Sequence, residues 1–207
     1  MLIAGLTGGL ACGKSFVAEE FRRLGCYVIE ADELGHEVLM PGGEAYASAV
    51  REFGQGILNA DGSIDRARLA QAVFGNPAAL GKLNAIVHPA VRERARRRFE
   101  EIGERDPDAI VIYVAAILVE TGAWSEFDKL IVVDCSREAQ VERAIKRTHA
   151  TPADVEARLG RQFPGEKKRE HADYIIDTNG AREETLRQTK MVFEELSRSR
   201  DLRRLAS

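Results

Sequence analysis

Short apolar runs alternate along the chain with longer stretches in which apolar positions recur every three or four residues. Runs of the first kind are typical of buried strands, whereas the second spacing predicts helices with one apolar face. The apolar runs are Leu2–Leu6, Tyr27–Ile29, Ala109–Val114, Leu130–Val133 and Tyr174–Ile176. Because the runs are apolar nearly throughout, we predict an α/β fold whose parallel sheet is covered on both faces.

Helical spacing and helix-end signals occur between these runs. The predicted helices are Ser15–Leu24, one that Ser136 caps and that runs to about Arg147, one that Thr151 caps, and Glu183 to about Ser197. The stretch from Asp32 to about Arg105 is also mostly helical, with turn signals at residues 41–43, 61–62 and 76–77. So long a helical stretch between two strands indicates an insertion or subdomain.

Composition limits the function classes. The 207 residues carry a net charge of -3, and such a balance argues against a dedicated nucleic-acid binder. No apolar run approaches the roughly 20 residues that cross a bilayer, and the start of the chain lacks the basic residues of a signal peptide. The three cysteines are dispersed without CxxC spacing, which suits a reducing compartment. We therefore predict a cytoplasmic protein with neither a nucleic-acid nor a membrane partner.

Charge is unevenly divided along the chain. Residues 1–66 contain 5 basic and 10 acidic side chains, whereas residues 67–207 contain 25 and 23, and arginine dominates the later cations. An anionic ligand is therefore expected to meet the arginines of the later part. The run Glu166–Glu170, sequence EKKRE, is predicted to be solvated.

A phosphate-binding motif follows the first strand. Gly8–Ser15, sequence GGLACGKS, fits G-x-x-x-x-G-K-[ST] and lies between a predicted strand and a predicted helix, as this motif requires. Its backbone N–H groups form an anion-binding nest. Cys12 lies inside this loop, where we expect it to contribute through its backbone rather than its thiol. Lys14 reaches the β- and γ-phosphates of a nucleotide, and the Ser15 hydroxyl holds Mg²⁺. The motif predicts nucleotide binding.

The remaining residues favour a small-molecule kinase. A GTPase would carry an N-K-x-D motif, and the sequence has none. Asp134 resembles the acid of a Walker-B strand, but it directly precedes a predicted helix start, so we favour a structural role for it. Asp32 follows the second strand at its carboxyl end, where open α/β sheets bind ligands, and predicts an acid facing the acceptor hydroxyl. It is equally suited to cap a helix over residues 33–39.

Several further motifs make the chain resemble a known family. Glu30-Ala31-Asp32 follows the second strand, and a Leu83–Pro89 segment, LNAIVHP, ends in His-Pro. The other elements are Leu6–Gly9, His36, Pro41–Gly42, Asp61–Gly62, Arg66, Leu118–Glu120, Gln140 with Arg143 and Arg147, Arg158, Gln162 and Asn179–Gly180. In this order the motifs are more specific than the phosphate loop alone. From Ile3 to about Gly180 the sequence resembles the dephospho-coenzyme A (dephospho-CoA) kinase family.

The resemblance implies an enzyme that transfers the γ-phosphoryl group of ATP to the ribose 3′-hydroxyl of dephospho-CoA, giving coenzyme A and ADP. It implies a three-layer P-loop kinase core at residues 1–32 and 106–207, with a mobile helical lid at about 148–170. It also implies a helical substrate-binding domain at residues 33–105. The implied partners are ATP with Mg²⁺ and dephospho-CoA, in a monomer or small homo-oligomer.

Roles of individual residues follow from the same resemblance. It implies a catalytic set of Asp32, Lys14 and Arg147. It implies ATP binding by Gly8, Gly9, Leu10, Ala11, Cys12, Gly13, Lys14, Ser15, Phe16, Arg143, Arg147, Asn179 and Gly180, the last two near the adenine. It implies an acceptor side formed by Asp32, Arg66, His88, Pro89 and Glu120, although His88-Pro89 also fits a helix start. The metal ligand is Ser15, with Asp32 acting through water.

Three positions depart from the family pattern. Glu30 stands where the family has Asp, Ala116 replaces a Pro, and Phe16 replaces a Thr. Two alternatives to the kinase for dephospho-CoA stay open on the residues alone. One is another small-molecule or nucleoside monophosphate P-loop kinase, and the other is a catalytically silent nucleotide-binding regulator.

Overall fold

The computed structural model describes residues 1–148 and 151–206. Its five strands form one parallel sheet in the order β2-β3-β1-β4-β5. The strands are β1 (Leu2–Gly8), β2 (Tyr27–Glu30), β3 (Ile110–Val114), β4 (Lys129–Asp134) and β5 (Tyr174–Asp177). All five apolar runs are therefore strands, which confirms the predicted α/β class, and β1 is the central strand.

The helices also follow the predicted order. They are α1 (Lys14–Arg23), α2 (Ala31–Glu37), α3 (Tyr46–Phe53), α4 (Arg66–Val73), α5 (Pro77–Arg105), α6 (Arg137–Thr148), α7 (Pro152–Leu159), α8 (Gly165–Arg169) and α9 (Arg182–Ala206). A capping box between Thr151 and Asp154 begins α7. At α6 the Ser136 hydroxyl accepts a hydrogen bond from the N–H of Ala139, as the sequence predicted.

Three predicted helix boundaries are wrong. Asp32 does not cap a helix over residues 33–39, because α2 already begins at Ala31 and Asp32 lies inside its first turn. His88-Pro89 does not begin a helix, because Pro89 lies inside the 29-residue α5. An interior proline removes one helical hydrogen bond, and here Pro89 and Ala85, whose carbonyl is freed, are both exposed to water. The closing helix was predicted to end near Ser197 but continues to Ala206. The last turns of this helix are mostly charged, so too few apolar residues recur at helical spacing there to indicate its continuation.

The chain divides into two compact units. The sheet unit comprises Met1–Ile29 and the chain from Gly103 onward, and the helical unit comprises Glu30–Ile102. Within the helical unit, Arg94 of α5 binds the carboxylates of Glu37 and Glu44 at 2.9 and 2.7 Å. These ion pairs connect α5 with α2 and with the turn before α3.

Successive side chains along each strand point to opposite faces of the sheet, and each face packs against a different part of the chain. One set of alternate strand residues, including Leu6 and Ile112, packs in the core with Phe21 of α1 and Leu196 of α9. On the other side, a Cβ on Gly5 would lie 2.9 Å from the side chains of Leu118 and Phe127. The chain between β3 and β4 therefore packs closely on this face, over the middle of the sheet's central strand.

Candidate active site

The phosphate loop connects β1 with α1 through a backbone that only a few residue types adopt. Gly13, which precedes α1, has a φ of 88°, and Ala11 has a φ of 57°. Gly8 is required by close packing against the backbone of β4, and a side chain at Gly9 would have to displace the end of the Gln140 side chain. A Cβ on Gly8 would lie 2.2 Å from the carbonyl oxygen of Val133, and one on Gly9 would lie 2.4 Å from Gln140 Nε2. The motif thus has the conformation of a tight loop at the start of a helix.

Lys14 is half-buried at the first position of α1. Its ammonium group donates to the carbonyl oxygens of Gly8 and Gly9 at 2.8 and 2.9 Å. Ser15 follows with an exposed side chain, and the ring of Phe16 lies 5.7 Å from the guanidinium carbon of Arg182. A cation is therefore held at the mouth of the loop, where phosphate oxygens would be bound.

The inner side of the loop rests on a buried thiol pair. Cys12 Sγ accepts hydrogen bonds from the Cys135 thiol at 3.1 Å and from Gln140 Nε2 at 2.9 Å. Hydrogen bonding by Cys135 is the largest cause that lowers the pKa of Cys12 to about 7, although burial acts in the opposite direction. The same contact, together with burial, raises the pKa of Cys135. Cys12 is therefore fully buried and supports the loop from within.

Arg143 supports the other wall of the loop through Thr178. Its guanidinium donates to the Thr178 hydroxyl at 3.0 Å and to the Thr178 carbonyl at 2.6 Å. The Thr178 hydroxyl in turn donates to the carbonyl oxygen of Cys12 at 2.9 Å. Arg143 is thus joined to the phosphate loop by a chain of two hydrogen bonds, and it lies one helical turn before the exposed Arg147.

Asn179 and Gly180 follow Thr178 and are exposed. The Asn179 side-chain oxygen accepts from the N–H of Ser136 at 2.8 Å, and its amide nitrogen donates to Asp177. The first of these bonds joins the residues that follow β5 to Ser136, at the start of α6. The strand β5 is the neighbour of β4 in the sheet. The loop that the resemblance assigns to the adenine is held in place by these two bonds.

Asp134 is ion-paired and does not cap a helix, and its structural role stays a prediction. It ends β4, and its Oδ2 accepts from the Arg169 guanidinium at 2.6 Å. Ser136 provides the cap of α6. The prediction that residues 166–170 are solvated is wrong for Lys168, whose exposed fraction is 0%. When a run of charged residues forms a helix, one of its side chains can face the protein interior. The sequence alone does not indicate which of them does so.

Glu120 lies close to the same buried lysine. Its Oε1 accepts from Lys168 Nζ at 2.7 Å and from the N–H of Phe163 at 2.9 Å. Its Oε2 is buried with no hydrogen-bond partner among the described residues. The contact of Glu120 with the substrate that accepts the phosphoryl group therefore stays a prediction. Of the two carboxylate oxygens, Oε2 is the one that the described contacts leave for it.

The other acceptor-side residues belong to the helical unit. Asp32 is exposed in the first turn of α2, and Arg66 is exposed at the first position of α4. His88 is half-buried in the middle of α5, next to the exposed Pro89. Burial is the main cause that lowers the pKa of His88, and the positive charge of Arg92 adds to it. His88 is therefore favoured in its neutral form near pH 7.

Sequence reasoning missed Thr178, Lys168 and Arg169. Thr178 carried a usable signal, because it directly follows an apolar strand at its carboxyl end, where ligand-binding residues collect. Lys168 and Arg169 carried none. Within the described ranges, no group of three or more His, Cys, Asp or Glu side chains could hold a metal ion. No helix among the described residues is long and apolar enough to cross a membrane.

A parallel sheet with a phosphate loop after its central strand and basic side chains beside that loop defines a P-loop kinase. A Thermus thermophilus protein of known structure is 31% identical and has a TM-score of 0.78, over 94% of this chain and 97% of that one. The dephospho-CoA kinase from Campylobacter jejuni shares the fold, with a TM-score of 0.66 at 24% identity over 95% of this chain and 97% of that one.

The family can be named from the sequence comparisons. The family model described as dephospho-CoA kinase matches residues 2–184. The dephospho-CoA kinase of Aquifex aeolicus is 44% identical over 94% of this chain and 97% of its own length. The chain therefore belongs to the dephospho-CoA kinase family, which confirms the resemblance of its motifs.

Proposed function

We propose that this chain transfers the γ-phosphoryl group of ATP to the ribose 3′-hydroxyl of dephospho-CoA, the last step of coenzyme A synthesis. The observation that carries the proposal is the glycine-dependent loop before α1, with the Lys14 ammonium held at its mouth. Family membership supports the choice of acceptor. A new bond forms between the 3′-oxygen and the γ-phosphorus while the bond from that phosphorus to the β–γ bridging oxygen breaks.

Asp32 is the proposed proton acceptor for the 3′-hydroxyl. Its carboxylate is exposed two residues after β2, and the carboxyl ends of parallel strands are the ligand-binding edge of open α/β sheets. A carboxylate that orients the hydroxyl and takes its proton makes the oxygen a better nucleophile. The electron pair of the broken bond leaves on ADP.

Basic side chains stabilise the charge that develops on the transferred group. Lys14 exchanges the carbonyls of Gly8 and Gly9 for β- and γ-phosphate oxygens when ATP binds. Arg147 has an exposed guanidinium, which leaves it available to the γ-phosphate. Arg143 donates to Thr178, which orients its guanidinium beside the loop, and it is proposed to bind the phosphates together with Arg147. Backbone N–H groups of residues 8–16 bind the phosphates, and Asn179-Gly180 lie beside the adenine.

A Mg²⁺ ion fits the donors that the loop offers. Ser15 places an exposed hydroxyl oxygen in the first turn of α1, and Mg²⁺ binds few protein oxygens because phosphates and water complete its coordination. When bound, the ion neutralises charge on the β- and γ-phosphates. Asp32 would contact it through water. We expect the site to work with ATP and Mg²⁺ together.

The helical unit is the proposed binding unit for dephospho-CoA, with Arg66, His88 and Pro89 on the acceptor side. Residues from about 148 to 170 are the proposed lid, of which the part from Gln162 onward is held to the sheet unit by hydrogen bonds of Gln162 and Lys168. Residues 149 and 150 of that range lie outside the described residues. We expect a monomer or small homo-oligomer in the cytoplasm. The free thiols of the three buried cysteines are consistent with a reducing compartment.

An ADP-release assay with a panel of acceptors tests the proposed function. With ATP and Mg²⁺ present, ADP should appear at an acceptor-dependent rate with dephospho-CoA, and the product should carry the new phosphate on the 3′-oxygen. Turnover with AMP, shikimate or gluconate but not with dephospho-CoA would contradict the choice of acceptor. ATP binding without turnover on any acceptor would favour the nucleotide-binding regulator.

Replacing Arg147 by Gln should lower kcat/KM for ATP by about 10²-fold, the usual loss when one donor to a transition-state oxygen is removed. The side chain is exposed, so the melting temperature should stay within about 2 °C of the unmodified protein. Steady-state kinetics and thermal unfolding provide the two measurements. Lys146→Gln is the matched control, because it removes a neighbouring exposed charge from the same helix. Equal losses in both variants would show a general charge effect.

A further inference from the structure

Residues 162–169, here called the anchor segment, bind the parts of the sheet unit that surround the phosphate loop. The Gln162 side-chain oxygen accepts from the N–H of Leu10, inside the loop, at 2.9 Å. Toward the other end of the segment, a Cβ on Gly165 would lie 2.5 Å from Asp134 Oδ1, and Arg169 binds the other oxygen of that carboxylate. The segment is thus in contact with the loop itself and with the end of β4.

Lys168 is the buried member of the anchor segment. Its exposed fraction is 0%, and its ammonium donates to the Ala116 carbonyl and the Glu120 carboxylate, each at 2.7 Å. An ammonium group taken out of water is costly unless its partners are well placed. Fully buried lysines are rare for that reason. A protein that needed only to cover this space could do so with an apolar side chain.

The partners of Lys168 lead back to the phosphate loop. The Ala116 carbonyl that accepts from Lys168 also accepts from the Thr7 hydroxyl at 3.1 Å. Thr7 is the next-to-last residue of β1, directly before Gly8, and Ala116 lies two residues after β3. Because β3 and β4 are the two neighbours of β1, the anchor segment reaches the carboxyl ends of all three central strands.

We propose that Lys168 is a positioning residue for the phosphate loop, acting through Ala116 and Thr7 at its start and through Gln162 at Leu10. The proposal rests on the proposed function, since it assigns the loop to ATP. Lys168 does not touch the nucleotide. It keeps the anchor segment seated, so that the free protein already has the loop shape that binds phosphate.

The expected kinetic consequence is specific. A loop that adopts its binding shape for a smaller fraction of the time binds with an apparent affinity lowered by that fraction. Bound ATP then selects the same shape, so the saturated complex should react at its normal rate. Loss of Lys168 should therefore raise KM for ATP and Kd for ADP while changing kcat little. A purely structural residue would lower the melting temperature without this division between KM and kcat.

The decisive variant is the double substitution Lys168→Met with Glu120→Gln. It removes both charges, whereas Lys168→Met alone would leave a buried carboxylate without its cation. In the double variant we expect a melting temperature near that of the unmodified protein, with KM for ATP and Kd for ADP raised about tenfold. Because Glu120 is assigned to the acceptor side, kcat is compared in Gln162→Met instead, where it should stay within about threefold. Lys167→Met, which replaces the adjacent exposed lysine, should leave all of these values within about twofold.

A stably folded double variant with unchanged KM for ATP and unchanged Kd for ADP would overturn the proposal. Should the double variant fail to fold, Gln162→Met keeps the proposal open to refutation, because that side chain is only half-buried and supplies the contact with Leu10. It should weaken ADP binding at least about threefold, and unchanged affinity would overturn the connection to the loop. ADP binding, by calorimetry, does not need an acceptor. Failure of the proposed acceptor would therefore be recognised separately, in the ADP-release assay.

Discussion

Asp32→Asn is expected to lower kcat by about 10³-fold, within the range that a positioned general base contributes. Asparagine has nearly the same shape but cannot take the proton of the 3′-hydroxyl. Asp32 is exposed in the first turn of α2, so the change should leave the fold intact. Rapid-quench or steady-state measurement of coenzyme A formation gives the rate. Kd for ADP measured without Mg²⁺ should remain within about twofold, because Asp32 is assigned to the metal through water and not to the nucleotide itself.

The adjacent carboxylate provides the control for this experiment. Glu33 is also exposed in the first turn of α2, so Glu33→Gln removes the same charge from the next position. It should retain kcat within about threefold. Full activity in Asp32→Asn, or a comparable loss in Glu33→Gln, would show that the acceptor hydroxyl is activated by another group.

Lys14→Met is expected to lower kcat/KM for ATP by about 10³-fold or more, since the lysine balances charge on both phosphates and on the transferred group. Unlike Asp32→Asn, it should also weaken ADP binding, because the β-phosphate loses a cation. In the free protein the change removes the two hydrogen bonds to the carbonyls of Gly8 and Gly9. Gly8 and Gly9 are both buried, so the loss of these hydrogen bonds should also lower the melting temperature.

Lys190→Met is a suitable control for the loss of one lysine. It lies exposed on α9, outside the proposed active site, and should not alter ADP affinity. The prediction would be wrong if Lys14→Met kept its affinity for ADP and its rate. The two substitutions also test each other, because one is expected to affect chemistry alone and the other chemistry and nucleotide binding.

Features encoded in adjacent residues were predictable from the sequence. The buried strand before Gly8, the glycines of the loop and the helix that follows are all local, and their order is required by phosphate binding itself. The cap of α6 at Ser136 and the capping box at Thr151 were predictable for the same reason. A cap joins residues only three positions apart, so the pattern contains the whole interaction.

Periodicity was a poorer guide where tertiary packing overrides local preference. Pro89 looked like a helix start because proline suits the first turn, yet its neighbours continue the helix on both sides. The run Glu166–Glu170 looked solvated because charges are usually exposed, yet it supplies both the buried Lys168 and the partner of Asp134. In both cases the deciding contacts lie elsewhere in the chain.

The sequence by itself determined the class of the protein: an α/β fold with a nucleotide-binding loop, and motifs that place it in the dephospho-CoA kinase family. Only the tertiary structure decided how that loop is supported. Arg143 meets Thr178 across 35 positions, and Lys168 meets Ala116 across 52. Local patterns report hydrogen bonds and apolar faces within a few residues, whereas pairs so distant along the chain come together only when strands β3, β1, β4 and β5 assemble into one sheet.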